Sequence, residues 1–389
     1  MFYELATPTW GAEERDAIWR SVNSGRTTMA EEVAAFEAEF AAYHGKRYAV
    51  MVNSGSSANL IAIASLFYRR DRPLERGDEV LVPAISWATT YHPLHQYGLK
   101  LRIVDVELDT LNIDVSMLEQ ALTPRTRAVV AVSILGNPAA LEVLRSFCKR
   151  HDLYLIEDNC ESLDGELGGR KTGTFGDIAT FSLFFSHHIS TGEGGVVLCD
   201  DEEEYHLLRS LRAHGWTRDL EPGSPLFEPR EDDCVESYRF ILPGYNVRPL
   251  ELQGAIGRVQ LRKLPAFTAQ RRHNMAYFQR LFASDERFII QRENGRSSSF
   301  AFTIVLNPAA GYERTRVTAA LKRADIGYRM ITGGCILRHD VIYHYDYTTV
   351  GDIKNALIAH DHGFFVGNAP IDLKPQIEHL RDVLNHACR

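Results

Sequence analysis

Apolar residues recur at helical spacing near the start of the chain, with Val33, Phe36 and Phe40 on one face. That period predicts a helix over 30–43 and a shorter one over 13–22, broken at Ser24-Gly25. Short unbroken apolar runs then take over. Residues 46–52, 77–83, 101–106, 128–134 and 153–158 are each rich in aliphatic side chains. Runs of that length predict strands buried on both sides, as in a mostly parallel sheet. The segments 114–122 and 140–151 have the pattern of crossover helices. Alternation of this kind predicts an α/β architecture with helices on both faces of the sheet.

Beyond residue 158 the pattern changes. The aromatic and apolar run 181–185 gives way to His187-His188, then to Gly192-Glu193-Gly194-Gly195 and Val196-Val197-Leu198. That order reads as strand, exposed turn, strand. A helix over 202–213 is followed by an irregular acidic, proline-bearing segment through 233. A long helix over 255–282 is expected to lead into a smaller unit. The unit's expected elements are a strand over 300–306, a helix over 315–324, a short strand over 326–329, a strand and loop over 361–368, and a closing helix over 375–386. The expected division is therefore a large α/β domain, 1–255, and a linker helix with a smaller α+β domain, 256–389.

Composition excludes several functions. A net charge of −8 argues against binding nucleic acid or an anionic membrane through bulk electrostatics. No run approaches 18 apolar residues and the first residues lack a basic-then-apolar leader, so a cytoplasmic location is expected. The nearest cysteines, Cys148 and Cys160, are 12 residues apart, which leaves no C-x-x-C metal or redox pair. No metal is expected, and the thiols fit a reducing compartment.

Four stretches carry candidate chemistry. The strand at 46–52 runs into Asn53-Ser-Gly-Ser-Ser-Ala-Asn59 and then an apolar helix. Free backbone amides and the helix dipole make such a turn an anion site, though many similar turns bind nothing. Trp87 follows the C-terminal end of a strand, where open α/β sheets hold ligands, but a tryptophan there also serves as core. Asp158 ends a buried strand on a charge, which calls for a cationic partner or a capping role for the next turn. The histidine pair suits acid/base work or metal binding, or is a surface turn by chance.

Together these stretches resemble the sugar aminotransferase (DegT/DnrJ/EryC/StrS) family of fold-type I enzymes, which use pyridoxal phosphate (PLP) on nucleotide-linked keto-sugars. The resemblance lies in the 53–59 turn, the 158–161 segment, a Ser-Phe-x-x-x-Lys…Gly-Glu-Gly-Gly pattern over 181–195, and Gly244-Tyr-Asn-Val-Arg248. It covers nearly the whole chain. It implies that Gly55, Ser56 and Ser57 hold the PLP phosphate, with Ser182 as a further cofactor contact. It also implies that Trp87 stacks on the ring, that Asp158 faces the pyridine nitrogen, and that Glu161 (usually Gln) faces the ring hydroxyl. Asn246 is expected to reach the phosphate of a partner subunit, in a homodimer with shared active sites.

The family's lysine position is expected to hold His188, and an imidazole cannot tether PLP. This departure points to the keto-sugar 3-dehydratase branch. It implies noncovalent PLP working through its amine form, pyridoxamine phosphate (PMP), with L-glutamate as amino donor. His188 is then the expected base, since an ordinary pKa of about 6.5 suits proton transfer both ways. The expected substrate is a nucleotide-linked 4-keto-6-deoxy sugar, GDP-4-keto-6-deoxy-D-mannose first, with Arg218 and Arg329 on its diphosphate. Lys171, the lysine nearest His188 in sequence, lies in a Gly-rich hairpin and reads as a solvated turn residue. The alternatives are an aminotransferase using another lysine, a dehydratase for a different nucleotide sugar, and an inactive scaffold. The iron–sulfur cousin needs a cysteine cluster that this sequence lacks.

Overall fold

The computed structural model describes residues 2–221 and 223–388. Strands β1 (Tyr48–Val52), β2 (Glu79–Pro83), β3 (Lys100–Val104), β4 (Thr126–Val132) and β5 (Tyr154–Asp158) follow the apolar runs. A hairpin, β6 (Glu166–Leu167) and β7 (Arg170–Lys171), precedes β8 (Ile178–Ser182) and β9 (Gly195–Cys199). The later strands are β10 (Phe288–Ile290), β11 (Ala301–Leu306), β12 (Tyr328–Arg329), β13 (Tyr347–Thr349) and β14 (Gly363–Gly367).

The large sheet has the order β1-β9-β8-β5-β4-β2-β3-β13. Neighbours from β8 through β13 pair in parallel, whereas β9 runs against both β8 and β1. Successive side chains leave a strand on opposite faces, and here both faces are buried. Val80, Val82, Val130 and Ile156 pack towards the helix Gly55–Leu66, while Leu81, Val129, Ala131 and Leu155 pack towards the helix Leu141–Arg150. That double burial explains why the strands read as continuous apolar runs.

The helix Glu251–Phe282 leads to a second sheet, β10-β11-β14-β12. Its core is aromatic, with Phe278 stacked on Phe302 at 4.7 Å between centroids and on Phe282 at 4.6 Å. Two segments cross the expected 255/256 boundary. β13 adds to the edge of the large sheet, and Tyr3 is buried in the core of the small one.

Three local differences from the sequence expectation have physical causes. The helix expected over 114–122 is a 3₁₀ turn, Val115–Met117, and one α-turn, Leu118–Ala121, cut short as Pro124 approaches. The helix Asn355–His362 has no cap in its own sequence. The Asp105 carboxylate supplies one, accepting from the amides of Lys354, Asn355 and Ala356 at 2.8 Å each. The helix Ala88–Gln96, which contains Pro93, is also absent from the apolar pattern.

The long helix begins at Glu251 rather than near 255, and that residue caps another element. Its buried carboxylate accepts from the amides of Ala30 (2.5 Å), Glu32 (2.6 Å) and Val33 (3.3 Å) at the start of the helix Glu31–His44. Removing such a cap leaves donors orphaned, at a cost of about 1–3 kcal/mol. Glu251→Ala should therefore lower the thermal midpoint and speed amide exchange over residues 31–35. Unchanged exchange there would contradict the capping role.

Candidate active site

A cavity of about 780 Å³ opens at the C-terminal ends of the central strands, where Val132 of β4, Asp158 of β5 and Ser182 of β8 meet. This is where open parallel sheets place ligands. Gly55, Ser56, Trp87, Glu161 and Arg329 also line it.

One wall is the start of the helix Gly55–Leu66. Ser54 caps it, its hydroxyl accepting from the Ser57 amide at 3.1 Å. The first-turn amides of Gly55 and Ser56 have no intrahelical acceptor and suit an anion. A side chain at 55 would have its Cβ 2.5 Å from the Ser182 Cβ, so only glycine brings the turn this close to β8. Ser57 is not on the cavity wall. Its hydroxyl donates to Asn53 Oδ1 at 2.6 Å and braces the turn.

The two carboxylates that end β5 serve different purposes. Glu157 is fully buried and accepts from the amides of Gly173, Phe175 and Gly176 at 2.5–2.7 Å, tying down the loop before β8. Burial pushes its pKa up, against those donors. Asp158, 5% exposed, faces the cavity instead. It accepts from Asn59 Nδ2 (2.9 Å), Thr90 Oγ1 (2.7 Å) and the Cys160 amide (3.2 Å). The last contact retains part of the capping role considered above. Among the described residues no cationic side chain joins it in a hydrogen bond. A buried carboxylate so placed fits a protonated ring nitrogen, as PLP carries. Asn59 is itself held by Thr180, whose hydroxyl donates to its Oδ1 at 2.6 Å.

Glu161 Oε2 accepts from the Leu135 amide and Thr332 Oγ1, each at 3.0 Å. Burial pushes its pKa up to about 7. Trp87 is 59% exposed at the mouth, an uncovered indole suited to stacking on a planar ring.

The histidine pair differs from expectation. His187 lines the cavity, whereas His188, 1% exposed, does not. His188 Nε2 lies 3.2 Å from the Ser298 carbonyl, and its Nδ1 is buried without a partner. The turn expected to be exposed runs inward after His187, and Ile189, Ser190 and Thr191 are buried with His188. Phe184, Phe185, Ser186 and His187 line the cavity in succession, and the backbone then turns His188 away into the core. Counting Ser-Phe-x-x-x-Lys from Ser182, with Leu183 in second place, also lands on His187. Burial, then the charge of Arg271, pushes the His187 pKa down to about 4. The imidazole is thus uncharged at neutral pH.

Arg329 lines the cavity with its Nη1 donating to the Tyr328 carbonyl at 2.9 Å. Arg218 and Asn246 do not line the cavity of this chain. Both are exposed, Arg218 lying 5.8 Å over the Trp216 ring and Asn246 accepting from Arg248 Nε at 3.0 Å. Lys171 is ion-paired with Asp164 and lies 4.3 Å over the Tyr43 ring. No lysine is among the described residues that line the cavity. The sequence reading left unassigned the Asn59–Thr90 support of Asp158, the Phe300 ring and the segment 2–6, all at or beside this site. Of these, only Asn59 stood inside a motif already singled out.

A GDP-4-keto-6-deoxy-D-mannose 3-dehydratase from Yersinia pseudotuberculosis is 46% identical over 384 residues, 98% of each chain. A crystal structure of GDP-4-keto-6-deoxymannose-3-dehydratase with a trapped PLP-glutamate geminal diamine superposes with a TM-score of 0.96 at 44% identity, covering 98% of this chain and 100% of that one. A variant of the same enzyme with bound GDP-perosamine gives the same TM-score, identity and coverage. Residues 8–369, nearly the whole chain, match one family, and the chain belongs to the DegT/DnrJ/EryC1/StrS aminotransferase family.

Proposed function

We propose that this chain is a PLP-dependent 3-dehydratase that removes the C3 hydroxyl of GDP-4-keto-6-deoxy-D-mannose, with L-glutamate as amino donor, in deoxysugar biosynthesis. One observation carries the reading. A buried carboxylate without a cation, Asp158, shares a cavity with an uncharged imidazole, His187, and no lysine is among the described lining residues. An imidazole in that place moves a proton but cannot tether the cofactor.

Bound noncovalently in its amine form, the cofactor supplies an amine for the sugar's keto group and a ring that takes up electrons as the hydroxyl leaves. The chain's residues do the rest. Asp158 keeps a proton on the ring nitrogen. The Gly55 and Ser56 amides hold the phosphate, with Ser57 bracing the turn and Ser182 beside it. Trp87 covers one ring face and Glu161 meets the ring hydroxyl. His187 would serve as the proton carrier, its uncharged imidazole taking up one proton in the cavity and returning one to the departing hydroxyl. Arg329 binds the sugar nucleotide's diphosphate. Arg218 and Asn246, exposed on this chain, belong to the site of a second subunit in a cytoplasmic homodimer.

Borohydride reduction tests the lysine-free reading. PLP-loaded protein should gain no mass from the cofactor on reduction and denaturation. A lysine-bound adduct would instead support an aminotransferase.

A further inference from the structure

The helix Glu251–Phe282 buries one cation that the reading so far does not use. Arg271 is 4% exposed, and its Nε has no hydrogen-bond partner. Its Nη1 donates to the Phe300 carbonyl at 3.1 Å and, in a shorter contact, to the Asn368 carbonyl. Among the described residues no carboxylate pairs with it, and burial pushes its pKa down to about 10. An unpaired buried charge is costly. What it sits behind is therefore informative. The Phe300 ring lines the cavity and packs against both imidazoles, 5.2 Å from the His187 centroid and 5.6 Å from that of His188.

We propose that Arg271 is a positioning residue for His187, fixing the Phe300 segment against the imidazole and placing a buried positive charge behind it. The inference rests on His187 as the proton-transfer group. The brace is extensive. Asn368 Nδ2 returns hydrogen bonds to the Arg271 and Ser299 carbonyls at 3.0 and 2.8 Å, and Ser299 adopts a left-handed φ of 55°. The groups that share this neighbourhood are His188 on the same turn, Arg271 and Arg272 on the long helix, and, around the cavity, Asp158, Glu161, Glu193, Glu4 and Arg329. Burial acts first in holding His187 low, and the one further cause is the positive charge of Arg271.

Three variants test the charge with and without the hydrogen bonds of the brace. Arg271→Gln keeps a donor for the carbonyls without the charge. Arg271→Met removes both but fills the space, and Arg271→Lys keeps the charge. Imidazole titration followed by NMR on ¹⁵N-histidine-labelled protein, with the His187 signal identified through His187→Gln, reads the effect with and without PLP. In the parent protein His187 should titrate near 4. In the Gln and Met variants the midpoint should rise towards the ordinary value, while burial still holds it below that value. The acid limb of glutamate-dependent PLP-to-PMP conversion should move with it, and the Lys variant should keep the parent midpoint. An unmoved His187 resonance in the Gln and Met variants would overturn the proposal. A moved resonance with an unmoved rate profile would leave Arg271 in place and contradict His187 as the base.

Discussion

His187→Asn should still bind PLP but form deoxygenated sugar about 10²–10⁴-fold more slowly, the range that positioned acid–base groups contribute. Asparagine is close in size and polar, so the turn keeps its shape while the site loses its titratable nitrogen. The companion substitution makes the result specific. His188→Asn changes a residue that is buried away from the cavity and contacts the Ser298 carbonyl. It should lower stability while leaving kcat within about tenfold of the parent, since a side chain buried away from the cavity does not reach the reacting atoms. The two variants assayed side by side, at a substrate concentration well above KM, decide which histidine acts. A larger loss at 188 than at 187 would assign the proton transfer to His188 instead.

The second large effect is expected at Asp158. Both Asn59 Nδ2 and Thr90 Oγ1 donate to its Oδ2, at 2.9 and 2.7 Å. An asparagine oxygen can accept both bonds, so Asp158→Asn should fold. What disappears is the negative charge at the cavity floor. Removing one partner of a buried charge pair costs roughly 3–5 kcal/mol, or about 10²- to 4 × 10³-fold at 1.4 kcal/mol per tenfold. Part should be seen as weaker PLP binding in an equilibrium titration and part as a lower kcat, because an unprotonated ring takes up electrons poorly. A variant with parental affinity and rate would remove Asp158 from the cofactor's vicinity.

The large sheet was legible because its strands are buried on both faces and bounded by turn residues. An apolar run ending on Glu157-Asp158 marks both a strand and its functional end. The anion turn was legible for a similar reason, as Gly55 is required by the approach of Ser182 and lies within a small-residue run. Other features depend on distant chain. The helix Asn355–His362 starts because Asp105, some 250 residues earlier, caps it. Glu161 is held by Thr332 and Leu135, neither near it in sequence. The two histidines could not be told apart in the sequence because identical neighbours differ only in the direction the backbone gives them. That direction is set by packing around Ser298 and Phe300 from the other half of the chain. Arg271 was silent for the same reason, since an arginine in an amphipathic helix looks solvated until its surroundings are known.

The account turns on loss of oxygen rather than gain of nitrogen. The most direct measurement is the mass of the sugar nucleotide after incubation of the protein with PLP, L-glutamate and freshly prepared GDP-4-keto-6-deoxy-D-mannose. The proposed reaction balances as sugar nucleotide plus glutamate giving 3-deoxy sugar nucleotide, 2-oxoglutarate and ammonia. It therefore predicts a product lighter by one oxygen atom, with ammonia and 2-oxoglutarate released in equal amounts. A product that keeps the C3 hydroxyl and carries an amino group at C4, with no ammonia released, would contradict it.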